Sequence, residues 1–152
     1  GEILFQGKDI FKQLGYYRKQ IGYVPQQAAL YEELSGKDNL LYWGRLSGLK
    51  KSKVSEQIGT MQEFIGFSTQ DMNKKVCEYS GGMRQKINIA VALLHQPKLL
   101  LMDEPTAGID KDARAALSGM LKKLNQQGTA IVYTGHYDDE LDVLGGQTVV
   151  IG

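Results

Sequence analysis

The sequence predicts an α/β fold in which helices cover a parallel sheet. From Ser80 onward, helix-like and strand-like patterns alternate, which is the arrangement that builds such a sheet. Residues 99–102 are all apolar, as expected for a buried strand, and the amphipathic run Lys111–Gln126 is long enough for a covering helix. A chain of 152 residues can bury a self-contained core, so we expect one domain.

The N-terminal part of the chain predicts strands and turns. The segments around residues 1–3 and 8–10 are expected to form a short hairpin. A further strand, Ile21–Val24, ends before Pro25, which restricts the preceding residue to extended geometry.

Two helices are predicted in the middle of the chain. Ser35, with Asp38 three residues later, has the spacing of a capping box and starts a helix that carries Leu40, Leu41 and Trp43. Ser52 is predicted to start the second helix, whose apolar residues repeat at helical spacing: Val54, Ile58, Met61 and Ile65.

The remaining elements alternate between helix and strand. One helix starts at Ser80, and the helix Lys111–Gln126 is expected to stop at Gly128. The apolar face of the first helix comprises Met83, Ile87, Ala90, Val91 and Leu94, and that of the second comprises Ala113, Leu117, Met120, Leu121 and Leu124. The predicted strands are Leu99–Asp103, 129–134 and 148–151.

The composition argues against several classes of protein. Eighteen Lys and Arg against 17 Asp and Glu give a net charge of +1, so no global field attracts nucleic acid or an anionic membrane. The single cysteine, Cys77, cannot form an internal disulfide, and no apolar leader is visible, so we expect the cytoplasm. No apolar run approaches the roughly 20 residues of a membrane span, so membrane association requires a partner.

The strongest chemical signal is a pair of adjacent carboxylates, Asp103 and Glu104, at the end of a predicted buried strand. Ligands of α/β sheets bind at the carboxyl ends of the strands, and adjacent side chains diverge, which suits two roles. An aspartate there can hold Mg²⁺, and a glutamate can orient or deprotonate an attacking water. Taken alone, the pair fits equally well a cap of the turn before Pro105.

Three weaker signals accompany this pair. Ser80 caps a helix that begins with Gly81 and Gly82 and so exposes amide groups to phosphate oxygens, although an ordinary capped helix has the same sequence pattern. His136 follows a predicted strand, where an imidazole can donate to a phosphate or be only structural. Gln26 places an amide at the end of another strand and by itself indicates little.

Together these segments resemble the nucleotide-binding domain of ABC ATPases over essentially all of the chain. The elements follow the family's order: Gln26 (Q-loop), 80–83 (signature), Leu99–Asp103 (Walker B), Glu104 (catalytic glutamate), 107–110 (D-loop) and His136 (switch histidine). Residues 29–34, 79–85 and 134–137 further resemble the ATP-binding subunits of bacterial drug or polyketide exporters.

The resemblance implies a P-loop NTPase (RecA-like) sheet with an inserted ABC helical subdomain. It divides the chain into three parts: 1–27, the strand region up to the Q-loop; 28–95, the helical subdomain ending in the signature helix; and 96–152, the core with Walker B, D-loop and switch histidine. The implied cofactors are ATP and Mg²⁺. Glu104 and His136 are the implied catalytic residues, Gln26 and Asp103 the implied metal ligands, and the other implied cofactor-binding residues are Ser80, Gly81, Gly82 and Asp110.

The implied function is that of an ATP-hydrolysing subunit that powers a membrane exporter, such as a multidrug exporter. Such a subunit lies on the inner face of the membrane, binds a transmembrane permease and forms a head-to-tail dimer of nucleotide-binding domains; no nucleic acid is expected. The alternative is a soluble ABC ATPase that acts on ribosomes or DNA. Those proteins usually carry tandem domains, coiled-coil inserts or basic arms, and none is visible in these residues.

The sequence departs from the family pattern in two places. Tyr79 and Met83 replace the usual ends of the signature. In addition, the 152 residues contain no P-loop, because the nearest match has five residues between Gly1 and Gly7 where four are needed, and Asp9 where a hydroxyl must bind Mg²⁺. The resemblance therefore implies a chain that is truncated just after the P-loop helix and inactive alone.

A sheet that lacks the P-loop strand is predicted to be incomplete. In the family that strand lies between the strands that correspond to 129–134 and 148–151, so the first has an open edge and the second has lost a neighbour. Exposed strand edges pair with other strands. We expect Val149, Val150 and Ile151 to be frayed, paired with residues 3–5 or paired with another chain.

Overall fold

The computed structural model describes residues 1–135 and 145–149 of the chain. Its strands are β1 (Leu4–Phe5), β2 (Lys8–Asp9), β3 (Ile21–Val24), β4 (Leu99–Asp103) and β5 (Ala130–Thr134). Its α-helices are α1 (Leu14–Arg18), α2 (Gly36–Leu46), α3 (Lys51–Ile65), α4 (Thr69–Asn73), α5 (Gly81–Leu93) and α6 (Lys111–Gln126). Two short 3₁₀ helices, Ile10–Gln13 and Val76–Glu78, precede α1 and α5.

The central sheet is parallel, in the order β3–β4–β5. Ile21 pairs with Leu99, and Leu99 with Ala130, so all three strands run in the same direction in register. Alternate side chains of the middle strand, Leu100 and Met102, are buried. The α/β prediction is therefore confirmed, and β5 begins one residue later than predicted.

The N-terminal hairpin is also confirmed, with β1 and β2 antiparallel around a turn at Gln6 and Gly7, which both have positive φ. The near match to a P-loop thus lies in a hairpin, not between a strand and a helix. The sequence prediction did not include α1. This helix is a single turn with Leu14 and Tyr16 exposed, so it carries no amphipathic repeat from which it could be recognised.

The capping predictions can be compared with the observed N-termini of α2 and α3. Ser35 caps α2, because its Oγ accepts a hydrogen bond from the Asp38 amide at 3.0 Å. The prediction that Ser52 starts α3 was wrong: Lys50 is the extended N-cap residue, and Ser52 already lies in the first turn. The predicted apolar face of α3 is buried, and the helix ends at the left-handed Gly66.

Helix α5 is the centre of the core. It contacts α2, α3, α6 and β3, and Ile87, Ile89 and Ala90 are completely buried. A helix that is apolar on nearly all sides needs neighbours on all sides. It therefore joins the helical part of the chain to the sheet.

The structure agrees with the prediction for α6, but not for the described part of the last predicted strand. Helix α6 has the predicted bounds, with Asp110 as its N-cap and the left-handed Gly128 after its end. Within the described ranges β5 pairs with β4 alone, and Val132 of β5 is half exposed. Of the predicted strand 148–151, Thr148 and Val149 lie in no strand and Val149 is exposed, whereas residues 150 and 151 lie outside the described residues. None of the helices in the described ranges is both long and apolar enough to cross a membrane.

Gly22 is expected to tolerate no side chain. It lies in β3, and a Cβ built there would be 2.6 Å from the carbonyl oxygen of Ala92. Gly22→Ala should lower the free energy of unfolding of the full-length protein by roughly 1–3 kcal/mol. The control is Gly59→Ala in α3, because a Cβ built at Gly59 has no other atom within 4 Å. This substitution should raise the free energy of unfolding by about 0.5–1 kcal/mol. Equal effects of the two substitutions in urea unfolding would contradict this packing.

Candidate functional site

Three of the residues predicted from the sequence, Gln26, Asp103 and Glu104, lie at the carboxyl edge of the sheet. The pairing of Val24 with Met102 and of Asp103 with Thr134 brings the ends of the three strands to one line. Residues that follow these strands therefore lie next to one another, at the place where parallel sheets bind ligands.

Gln26 and Glu104 are in direct contact across this edge. The side-chain Nε2 of Gln26 donates to Oε2 of Glu104 at 3.1 Å. The two residues are 78 positions apart in the chain, so the contact depends on the pairing of β3 with β4. The structure thus brings Gln26 and Glu104 together, and their roles with Asp103 at a nucleotide site stay a prediction.

The backbone turns sharply at Glu104. Its φ is 42°, in the left-handed region that non-glycine residues seldom adopt. The Glu104 amide donates to Oγ1 of Thr134 at 3.0 Å, and the Ala107 amide donates to the Glu104 carbonyl at 3.1 Å. These bonds hold the turn that separates the Glu104 side chain from that of Asp103, as the divergence argument predicts.

The Thr134 hydroxyl, which accepts from the Glu104 amide, also contacts the carboxylate of Asp103. Its Oγ1 donates to Oδ1 of Asp103 at 3.0 Å. The sequence prediction missed Thr134, although a hydroxyl at the last position of the strand expected beside Asp103 is a signal that could have revealed it. Thr106, buried in the next turn, shares a hydrogen bond of 2.9 Å with the Tyr133 hydroxyl and fixes the chain beyond Glu104.

Four other predicted residues form a second group at the junction of α5 and α6. Ser80 caps α5, with its Oγ accepting from the Met83 amide at 3.2 Å. Asp110 caps α6 in the same way, with Oδ1 accepting from the Ala113 amide at 2.8 Å. Gly82 is buried against α6, and a Cβ on it would lie 2.8 Å from that of Ala113. Gly81, which is exposed, lies beside Ile109.

The unusual Tyr79 before the signature has a structural role. Its ring packs edge-on against Phe67 with centroids 5.6 Å apart, and its hydroxyl donates to the Asp71 carbonyl at 2.6 Å. Burial raises the pKa of this hydroxyl, so it stays protonated and available as a donor. The departure from the family pattern anchors the start of α5 to the helical part of the chain.

Asn88 links α5 to the segment that carries Gln26. Its buried Nδ2 donates to the carbonyl of Pro25 at 3.2 Å. The sequence prediction did not include Asn88, since a single polar residue in a buried helix gives no local sign of its partner. His136, the remaining predicted site residue, lies outside the described residues.

Comparisons with known proteins agree with this geometry. A family model described as ABC transporter matches residues 1–107. The linearmycin resistance ATP-binding protein LnrL of Bacillus subtilis (strain 168) is 39% identical over 144 residues, which are 95% of this chain and 46% of that protein. Nod factor export ATP-binding protein I of Rhizobium sp. (strain N33) is 35% identical over 151 residues, 99% of this chain and 49% of that protein. The chain thus spans about half the length of these curated relatives.

The fold is also similar to that of a solved structure from an ABC transporter. The chain is similar to cbiO1 from Clostridium perfringens, described as part of the ABC transporter complex cbiONQ, with a TM-score of 0.83 and 25% identity. The match covers 95% of this chain and 59% of that one. Since the family model covers more than half of the residues and this structure shares the fold, the chain belongs to the ABC transporter family, as a nucleotide-binding domain similar to those of bacterial exporters.

Proposed function

We propose that this chain is the ATP-hydrolysing part of a subunit that powers a membrane exporter. The observation that carries the proposal is the hydrogen bond of 3.1 Å between Gln26 and Glu104, beside Asp103 at the carboxyl edge of the sheet. An amide and two carboxylates at this edge support the binding of a γ-phosphate and an attacking water.

Glu104 acts as the general base in this proposal. The water oxygen bonds to the γ-phosphorus as the bond to the ADP oxygen breaks, and Glu104 accepts the proton of the water. A carboxylate can accept several hydrogen bonds, so Glu104 can be oriented by Gln26 and still receive this proton. His136 is proposed to contact the γ-phosphate.

The residues of the edge fit a Mg²⁺ ion that arrives with the nucleotide. Asp103 and Gln26 offer oxygen ligands, and Mg²⁺ usually takes one or two protein ligands in addition to phosphates and water. Within the described ranges no three His, Cys, Asp or Glu side chains form a metal-binding group. The ion supplies charge neutralisation of the phosphates.

A second molecule completes the site in this proposal. Ser80, Gly81, Gly82 and Asp110 lie together at the α5–α6 junction. A head-to-tail dimer brings this junction of one molecule to the carboxyl edge of the other, with Asp110 linking the two sites. The exposed N-terminus of α5, a helix of 13 residues, favours phosphate through its dipole.

The helical subdomain, residues 28–95, is proposed to transmit the nucleotide state to a transmembrane permease on the inner face of the membrane. The Asn88–Pro25 bond joins α5 to the Gln26 segment, so a movement of Gln26 toward a γ-phosphate can be passed to this subdomain. The names of the relatives, linearmycin resistance and Nod factor export, support an exporter.

Purification of the tagged full-length protein from detergent-solubilised membranes tests this proposal against the soluble alternative. We expect it to co-purify with an integral membrane protein, in a complex whose Mg²⁺-dependent ATP hydrolysis is lost when Glu104 is replaced by Gln. Recovery of the protein with ribosomes or DNA, and without a membrane protein, would favour the soluble ABC ATPase.

A further inference from the structure

We propose that Thr134 is a positioning residue that holds the backbone of Glu104 and the carboxylate of Asp103 through one hydroxyl group. The inference rests on the proposed function, because it assigns Thr134 a part in orienting the base and the Mg²⁺ ligand. It adds Thr134, the last residue of β5, to a site for which the sequence predicted Gln26, Asp103, Glu104 and, beyond this strand, His136.

The hydroxyl of Thr134 has two bonds of equal length. Oγ1 accepts from the backbone amide of Glu104 at 3.0 Å and donates to Oδ1 of Asp103 at 3.0 Å. The carbonyl of Met102 is a longer alternative acceptor, at 3.4 Å. The hydroxyl has one proton and can donate one hydrogen bond. Because hydrogen bonds to a charged acceptor are stronger, we assign Asp103 Oδ1 as the acceptor of this bond.

The position of Thr134 explains how the turn at Glu104 is held. Asp103 and Thr134 are the last paired residues of β4 and β5, so the regular backbone pairing stops at Glu104. The Thr134 side chain provides an acceptor for the Glu104 amide just beyond this pairing. With φ at 42°, Glu104 is in a conformation that needs such support, and this conformation sets the direction of its side chain toward Gln26.

A threonine suits this task better than a serine or a valine. Its β-branch limits χ1 to few rotamers, which keeps the hydroxyl between the two residues that it contacts. Valine has nearly the same shape and lacks both hydrogen bonds. Serine retains the hydroxyl with more freedom of rotation, so it should preserve most of the function.

The test compares four variants of the full-length protein. Thr134→Val and Thr134→Ala should each lower kcat for ATP by about tenfold to a hundredfold and leave the Kd for Mg-ATP within about threefold, because the nucleotide still binds while the base is misdirected. Thr134→Ser should retain kcat within about threefold of the wild type. Thr129→Val, just before β5, is the matched control and should leave kcat unchanged.

A second measurement tests directly whether the Thr134 hydroxyl holds the Glu104 amide. Hydrogen exchange of the Glu104 amide, followed by NMR, should accelerate about tenfold or more in Thr134→Val and Thr134→Ala, and remain unchanged in Thr129→Val. The two hydroxyl-free variants differ in volume, so agreement between them excludes a packing effect, and either one suffices if the other does not fold.

The two measurements separate the possible failures. A wild-type protein that does not hydrolyse ATP refutes the proposed function, and the amide exchange then decides whether Thr134 positions Glu104. In an active protein, kcat within about threefold of the wild type for the hydroxyl-free variants overturns the inference, whatever the amide does. Unchanged exchange of the Glu104 amide overturns it as well.

Discussion

The Glu104→Gln variant of the full-length protein is expected to bind Mg-ATP as the wild type does and to lose about 10²- to 10⁴-fold in turnover. An amide has the shape of the carboxylate and can still accept the hydrogen bond from Gln26, so the site should keep its geometry. It cannot accept the proton of the attacking water. The variant therefore separates binding from chemistry.

Binding is measured with a fluorescent ATP analogue, and turnover by phosphate release under saturating Mg-ATP. Glu56→Gln is the matched control, because Glu56 is exposed on α3 and forms a surface ion pair of 2.9 Å with Lys53. This control should hydrolyse ATP like the wild type. Turnover of Glu104→Gln within about tenfold of the wild type would exclude Glu104 from the role of the base.

A polypeptide of these 152 residues alone is expected not to bind Mg-ATP measurably. A P-loop supplies several backbone amides and a lysine to the phosphates, each charge-assisted hydrogen bond contributing roughly 1.5–3 kcal/mol. The loss of three such bonds amounts to about 4.5–9 kcal/mol, which weakens a micromolar site by roughly three to six powers of ten. The hairpin at residues 1–9 offers no replacement, since its glycine turn joins two strands and opens no helix.

Isothermal titration calorimetry measures this directly, with the full-length protein as the positive control. Saturable binding to the 152-residue polypeptide with a Kd below about 100 μM would show that the prediction is wrong. It would mean that phosphate binding in this protein uses groups other than a P-loop.

Elements with local signals could be predicted from the sequence with accurate bounds. Asp110 and Gly128 mark the two ends of α6, and Ser35 and Ser80 are N-caps whose hydroxyls bind an amide three residues later. The resemblance to ABC ATPases implied that Gln26 and Glu104 share a site, and the structure brings them into contact because the ends of parallel strands meet at one edge.

Features that depend on distant partners could not be predicted. Asn88 is an ordinary polar residue in the sequence, and only helix packing brings it to Pro25. Thr134 was missed for another reason, because the strand end beside Asp103 was a signal that the prediction did not use. The prediction placed the start of α3 wrongly because its N-cap residue, Lys50, makes no side-chain capping bond and gives no capping signal in the sequence. The roles of His136 and of the second molecule stay predictions.

The most direct test of the central claim is a crystal structure of the full-length Glu104→Gln variant with Mg-ATP. We predict the γ-phosphate at the carboxyl edge of the sheet, Mg²⁺ bound to it and to Asp103 or Gln26 at about 2.1 Å, and Ser80 of a second molecule on the same phosphate. A nucleotide bound elsewhere, with no phosphate within hydrogen-bonding distance of Gln26 or of residue 104, would contradict the account.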